Sequence, residues 1–495
     1  MKRELVICLI LLIGMFFING VFAENFEISS EKIVAEKVEL ASATSYRVDG
    51  EDLERNIFAW SHFIEAGEEG NEAGFGRGIF VNRLNLEDFD TLPAEIEISP
   101  TGSDPKITSG LKKAFLLWYY GGDGYVDVLD INSLTLLDNP AKIPKTSDDP
   151  LLAIHMDIDS AVFIDGTEFS LVAWRAYKSN EGSYGNFLFD DGTWLYPSPI
   201  KYNSGKSYTI QVATDSEGKG IVAYWGNPNM EGLRFPSGFL ANVFIEDSLQ
   251  LQDPVRLDAD ANYADIRSDG IGGGTIVWGS DSGVKVQILK ADGSLGLRAG
   301  GVSFGKGAFP AIDNIDKDNW IIVWQGNLRT GRFSEDYLLV NILSSDGSLL
   351  FESPIKVADI GYHPSIVYNG VSNGKHHATI FFLKKDTNSM QKNRDNNLYA
   401  IALRWPVEEI KFIRGDADRN NKVELTDAII VLDWLFKDGE EPKCLDAADA
   451  DDNRQIQLTD AVRILNFLFK GGESPAQPYP EKGVDSTQDE LSCKG

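Results

Sequence analysis

Gly274-Thr275-Ile276-Val277-Trp278, then Val284-Lys285-Val286-Gln287-Ile288-Leu289, then Ala291-Asp292-Gly293 is the stretch from which the fold is read. The same phrase returns as Trp320-Ile321-Ile322-Val323-Trp324, Leu338-Leu339-Val340-Asn341-Ile342-Leu343 and Ser345-Asp346-Gly347, followed by the extended Pro354-Ile355-Lys356-Val357. Runs this short, rich in Val, Ile and aromatics and separated by Asp-Gly, read as strands joined by hairpins. Working outward, the residue that ends the first run recurs as Trp60, Trp118, Trp174, Trp225, Trp278, Trp324 and, with another aromatic, Phe382. The successive spacings are 58, 56, 51, 53, 46 and 58 residues.

A period near 50 residues with about four strands per unit matches blades that each pack a hydrophobic face on the next. The expectation is a mainly β chain whose residues 24–410 form a seven-bladed β-propeller, with a pair of β-sandwiches as the competing arrangement. Ring closure is also legible. Lys37-Val38-Glu39-Leu40 followed by Tyr46-Arg47-Val48-Asp49-Gly50 resembles Lys356-Val357 followed by Ile366-Val367-Tyr368-Asn369-Gly370. The N-terminal strand is therefore expected to complete, from outside, a blade whose other strands come last, near Asn397 to Arg404, hiding an open sheet edge.

Composition limits the function classes. With 46 Lys plus Arg against 75 Asp plus Glu, a net charge of -29 rules against binding nucleic acid through its phosphates. At 43% hydrophobic and 11% aromatic residues, the chain is too apolar for a disordered acidic tract. Five His and three Cys leave little material for zinc or thiol chemistry. Lys2 and Arg3, the apolar run Leu5 to Phe17 and Val21-Phe22-Ala23 have the order of a secretory leader, so residues 1–23 are expected to be removed and the product secreted or held at the cell surface. No later stretch approaches the ~18 uninterrupted apolar residues of a membrane span. Cys444 and Cys493 then remain as an even pair, which in an oxidising compartment reads as one disulfide.

Several local patterns in the propeller region have bland readings. Gly301-Val302-Ser303-Phe304-Gly305 spells a nucleophile elbow but lacks the strand before and helix after that the motif needs. His62, His155, His363, His376 and His377 share no face-forming spacing, and His376-His377 reads as part of a polar loop. Asp258-Ala259-Asp260-Ala261-Asn262 with Asp269 imitates a calcium loop at an inter-blade junction. The recurring Trp residues read as inter-blade core rather than sugar platforms. Paired acids in a propeller funnel would suffice for glycoside cleavage, but sequence selects no pair, so the catalytic residues stay open.

The most specific pattern is C-terminal. Asp416-Ala417-Asp418-Arg419-Asn420 is followed by Asp427 at the twelfth place, and the spelling returns 33 residues on as Asp449-Ala450-Asp451-Asp452-Asn453 with Asp460. Oxygens at positions 1, 3, 5 and 12, with the backbone carbonyl at 7 (Lys422 and Gln455), suit a hard cation such as calcium. Each loop runs into an amphipathic helix, Thr426 to Phe436 and Thr459 to Phe469, closed by Gly439 and by Gly471-Gly472. In the first, Ala428, Val431, Leu432, Leu435 and Phe436 make the apolar stripe.

Residues 411–473 resemble a type I dockerin, a module of two such loop-helix repeats; the stretch from Arg414-Gly415-Asp416 through Cys444-Leu445-Asp446 to Pro478-Tyr479-Pro480-Glu481 looks like the dockerin-like tails of large secreted planctomycete-type proteins, and 474–495 is a C-terminal tail. The resemblance implies two bound Ca2+ ions and docking onto a cohesin-like module. It implies that Leu425-Thr426 and Leu458-Thr459, at positions 10 and 11 where the family often has Ser-Thr, contact the partner. It also implies a polysaccharide-related setting and supports pairing Cys444 with Cys493. At position 6 the family usually has Gly, because the turn needs positive φ; here stand Asn421 and Arg454, so the second loop is expected to be the weaker site. The reading is a secreted, monomeric, calcium-binding dockerin-bearing protein whose propeller recognises a ligand, carbohydrate among the candidates. The alternative is a polysaccharide hydrolase or lyase with acids in the funnel.

Overall fold

The computed structural model describes residues 26–493 except 47–52, 65–75, 85–94, 138–139, 145–152, 177–181, 204–206, 227–228, 231–232, 235–237, 246–249, 252–254, 259–260, 327–335, 386–395, 408–410, 438, 486, 488–490 and 492. The expected leader, residues 1–23, lies outside them. The chain divides into two compact units, Met1–Pro406 and Val407–Gly495. No helix among the described residues is long and apolar enough to cross a membrane.

The first unit is a seven-bladed β-propeller, mainly of four-stranded antiparallel sheets in sequence order. Blade 5 shows the pattern: Asn262–Ser268, Gly274–Ser280, Gly283–Leu289 and Val302–Gly305, each paired with the next. All seven residues of its second strand are buried, because a neighbouring blade covers each face. The aromatics of the repeat fall on these second strands: Trp60, Trp118, Trp174, Trp278, Trp324 and Phe382 are all buried in hydrophobic clusters. Blade 4 departs by one residue. There Tyr224 is the buried ring, two positions past Val222, and Trp225 is only partly buried.

Closure follows the expected plan with a different division of labour. One 15-residue strand, Lys32–Tyr46, serves two blades. Its first half pairs with the last strand (Lys32 opposite Ala400, Val38 opposite Asn396), while its second half is the innermost strand of blade 1 (Val38 opposite His62, Tyr46 opposite Arg55). The inner portion thus ends at Tyr46 rather than beginning there, and residues 47–50 lie outside the described residues. Glu27–Ile28 adds a second contact with the last strand, opposite Arg404 and Leu403. Asn369 of blade 7 completes the seal, donating its side-chain amide to Asn56 Oδ1 at 2.6 Å and accepting at its carbonyl from Glu54 N at 2.7 Å.

One polar position repeats in the third strands. Asn82, Asp127, Asn186, Asn242, Gln287 and Asn341 sit opposite Phe58, Leu116, Val172, Val222, Ile276 and Ile322. In Asn186, Gln287 and Asn341 the amide donates to a backbone carbonyl (Tyr196, Arg298, Phe351) and its oxygen accepts a backbone N–H of the same segment, fastening the outer turn to the sheet. Buried amides satisfied in this way are stable; an acid at the same place must be desolvated.

The second unit carries three helices, α1 (Leu425–Phe436), α2 (Leu445–Ala448) and α3 (Leu458–Lys470). Its core is small and alanine-rich: Ala417, Ala428, Val431, Ala448, Ala450, Ala461 and Ile464, with Leu432 and Leu435 packed against it. Phe436 is not part of that face. It is 65% exposed, as is its counterpart Phe469 at 66%. Cys444 and Cys493 form a disulfide across 49 residues. The segment after α3 belongs to this unit, since Phe412 and Gly483 exchange two backbone hydrogen bonds.

Candidate functional site

Both acidic loops of the second unit build the same frame from short-range hydrogen bonds. Asp416 Oδ1 and Oδ2 accept from the backbone N–H of Asn420 and Asn421 at 2.9 and 2.8 Å, and Asp449 accepts in the same way from Asn453 and Arg454 at 3.1 and 2.7 Å. The twelfth residue is held at both oxygens: Asp427 accepts from Asp418 N at 3.3 Å and Glu424 N at 2.7 Å, and Asp460 from Asp451 N at 3.2 Å and Gln457 N at 2.7 Å. Each of these Asp residues is also N3 of its helix, so one carboxylate caps the helix and faces the loop.

Backbone geometry makes the curl possible. Position 6 has positive φ in both loops, 71° at Asn421 and 72° at Arg454, and so does position 4, 60° at Arg419 and 61° at Asp452. Positive φ at position 4 has no marker in the residue types. Lys422 and Gln455, whose carbonyls are expected as ligands, directly follow the position-6 residues Asn421 and Arg454. Asn420 donates its side-chain amide to Asp418 at 3.0 Å, whereas Asn453 accepts from Gln455 N at 3.1 Å.

The result is two triads, Asp416/Asp418/Asp427 and Asp449/Asp451/Asp460, whose carboxylate oxygens lie within 4.8 Å of one another. Three anions so close repel unless neutralised. Burial raises all four inner acids above the ordinary carboxylate range, Asp427 to about 6 and Asp460 to about 7, and the neighbouring carboxylates push the same way. Asp451 Oδ1 is buried with no hydrogen-bond partner. An all-oxygen donor set with an orphaned buried oxygen fits a hard divalent cation. The two triads are therefore able to bind metal ions. The third cluster, Cys444, Asp446 and Cys493, is accounted for by the disulfide.

A residue that motif reading passed over holds the unit together. Arg414 is 1% exposed and donates from Nε to Gln477 O (2.7 Å), from NH1 to Asp446 O and Asp449 O (2.9 Å each) and from NH2 to Asp485 (2.8 Å). Its guanidinium also lies 3.1 Å from Asp452. The second loop is thereby tied to the C-terminal segment. The expected partner-contacting residues Leu425, Thr426, Leu458 and Thr459 are all exposed in the first helical turns. They extend into duplicated apolar stripes, Leu425, Ile429 and Phe436 on α1, and Leu458, Val462 and Phe469 on α3, at the one-face spacing of i, i+4, i+11.

In the propeller, all seven inner strands line a central channel of about 220 Å³. Its acids have a structural task. Asp157 accepts from Val212 N (3.0 Å), Asp159 from Thr214 N (2.8 Å), Asp265 from Ile312 N (3.0 Å) and Asp313 from Tyr368 N (2.7 Å), each the inner strand of the next blade. Burial raises Asp157 and Asp313 and brings Asp159 to about 6. Arg267 answers this charge, 2.9 Å from Asp313 and 3.2 Å from Asp265, and Lys106 lies 3.5 Å from Asp157.

The other tempting patterns resolve as structure. Ser303 lies in the outer strand of blade 5, where its Oγ accepts from Gly305 N, with no helix following. His376 and His377 are not in a loop: they sit in the strand Lys375–Lys385, with His376 bonded to Tyr368 Oη at 2.8 Å and stacked on Trp405. Asp258 accepts from Trp278 and Lys285, and Asp269 closes a turn onto Gly273, while residues 259–260 lie outside the described residues.

No protein-family profile matches the chain, and no curated protein matches it. Among solved structures it is similar to a protein of unknown function from Dyadobacter fermentans, at 12% identity and TM-score 0.43 over 77% of this chain and 99% of that one. It is also similar to the WD40 domain of coronin from Toxoplasma gondii, at 11% identity and TM-score 0.44 over 78% and 87%. A third is an ulvan lyase, a polysaccharide lyase, at 10% identity and TM-score 0.42 over 74% and 94%. At these identities and scores the similarities carry nothing about activity.

Proposed function

We propose that this is an exported, calcium-dependent docking protein. Its C-terminal unit binds two Ca2+ ions, one through Asp416, Asp418, Asn420, Asp427 and the Lys422 carbonyl, the other through Asp449, Asp451, Asn453, Asp460 and the Gln455 carbonyl. The propeller is the recognition surface, serving a polysaccharide-related assembly outside the cell or at its surface. The observation that carries the reading is the duplication of one hydrogen-bond frame around two acid triads, each with two buried members and one half-buried. A single acidic turn arises easily; two with matching capped helices and matching positive-φ positions share a purpose.

The exposed stripes starting at Leu425-Thr426 and Leu458-Thr459 support a cohesin-like partner, because each helix presents an equivalent apolar face that water covers poorly. Recognition rather than hydrolysis is supported by the channel acids, which are committed to backbone N–H groups of the neighbouring blades. Calcium binding and folding of so small an alanine-rich core are coupled. In calorimetric scans of the whole protein, a chelator should abolish the transition of residues 411–495 and leave that of the propeller in place. A trace unchanged by chelator contradicts the proposal.

A further inference from the structure

The seven inner strands share an irregularity near their start. Each pairs with the second strand through a register shift there, and the residues at the shift include Glu39, Asp104, His155, Tyr208, Tyr263, Phe309 and His363. A bulge re-aims a side chain out of the pleat and recurs where proteins bind ligands. Four of these residues have positive φ: 54° at Asp104, 57° at Tyr263, 49° at Phe309 and 49° at His363. For bulky residues this backbone is strained, and glycine would occupy it freely. Yet blades 5, 6 and 7 place three consecutive rings there.

Those rings meet across the blade boundaries. The centroids of Tyr263 and Phe309 are 3.8 Å apart and those of Phe309 and His363 4.2 Å, with Tyr362 5.9 Å from His363. The residues immediately following, Ala264, Pro310 and Pro364, line the central channel, so the arc stands at the channel rim. Tyr263, at its end, is 53% exposed. The Tyr263 ring is tilted by 33° on Phe309, and that contact covers only part of it; the rest is open to water on strained backbone.

We infer that this arc is a binding platform for a neutral polysaccharide; the inference rests on the recognition role proposed above for the propeller and gives that role a place. The apolar C–H face of a pyranose ring matches an aromatic face such as the exposed part of Tyr263. The chain's net charge of -29 disfavours polyanions, whether uronate chains or nucleic acid.

The test is affinity electrophoresis of the whole protein through gels containing xyloglucan, galactomannan or mixed-linkage glucan, with polygalacturonate as the anionic comparison. Retardation is expected in at least one neutral gel. Tyr263→Gly and Phe309→Gly should weaken it about tenfold or more, and Tyr263→Phe should keep it within about threefold. The glycine variants should melt within a few degrees of the parent, since relief of the strained φ offsets the lost ring contacts and the freer unfolded chain; this separates lost binding from lost folding. Retardation unchanged in both glycine variants overturns the platform but leaves carbohydrate recognition by the protein standing. Retardation in no neutral gel, or only by polygalacturonate, overturns the platform and, in the first case, the recognition role with it.

Discussion

Asp127 is the one acid at a third-strand position where five other blades have Asn or Gln, and replacing it by Asn tests how the propeller balances buried polarity. The carboxyl is 3% exposed, and its Oδ2 accepts from Trp118 Nε1 at 2.7 Å. Burial lifts its pKa to about 6, opposed only in part by the indole hydrogen bond. Well below about pH 4 both folded and unfolded states are protonated there, and burial carries no ionic penalty. As pH rises through about 6 the unfolded state has already lost its proton, so stability falls, by roughly 2–3 kcal/mol at most for a shift of about two units. Asn keeps an oxygen for the Trp118 N–H and has no charge to desolvate, though its amide protons need partners. The expected net gain is roughly 1–2 kcal/mol at about pH 8 and much less at about pH 4. Equilibrium urea unfolding followed by Trp fluorescence at both pH values measures it, since nine of the ten Trp precede Val407. An equal effect at the two pH values, or a loss at the higher one, refutes the reasoning.

Three further outcomes follow from named contacts. Arg414→Ala strands three backbone carbonyls and the carboxylates of Asp452 and Asp485, so the C-terminal unit should lose roughly 3–5 kcal/mol while the propeller transition in the same calorimetric scan stays put. Arg454→Gly removes a side chain from a φ of 72° and should stabilise that unit by about 1 kcal/mol, more than Asn421→Gly, because Asn tolerates the left-handed region; equal effects would mean that the curl is unstrained. Removing residues 24–38 exposes the edge of the last blade's third strand, which Glu27–Ile28 and Lys32–Val38 cover. The ring's thermal midpoint should then fall by several degrees, and an unchanged midpoint contradicts closure by this strand.

Much of this architecture could be read from the chain because its signals are local and repeated. A buried ring two residues past a buried apolar residue, aliphatic in every blade but the first, marks each second strand, and Trp225 departs because Tyr224-Trp225 offers two adjacent aromatics of which sidedness selects the first. The loops were legible for the same reason, since every bond of their frame spans five residues or fewer, apart from those between positions 3 and 12. Phe436 was misassigned because the stripe it extends turns past the small core, and a helical period does not say how wide the covering face is. The inter-blade acids were invisible for a different reason. A carboxylate that accepts from a backbone N–H 55 residues away, as Asp157 does from Val212, looks in sequence like any polar residue of a strand. Arg414 likewise acts through carbonyls that no side-chain pattern records. The aromatic arc did leave a trace, the recurring Asp104-Pro105, Phe309-Pro310 and His363-Pro364 at the strand starts, which marks the bulges without revealing that rings from adjacent blades meet.

The central claim is that two equivalent acid triads each hold a calcium ion. Calorimetric titration of calcium into the metal-depleted protein tests it most directly, comparing the parent with Asp427→Ala and Asp460→Ala. Two binding events are predicted in the parent, the weaker belonging to the loop with Arg454, and each variant should lose its own event and keep the other. No calcium binding in the parent, or a binding event that survives both substitutions, contradicts the account.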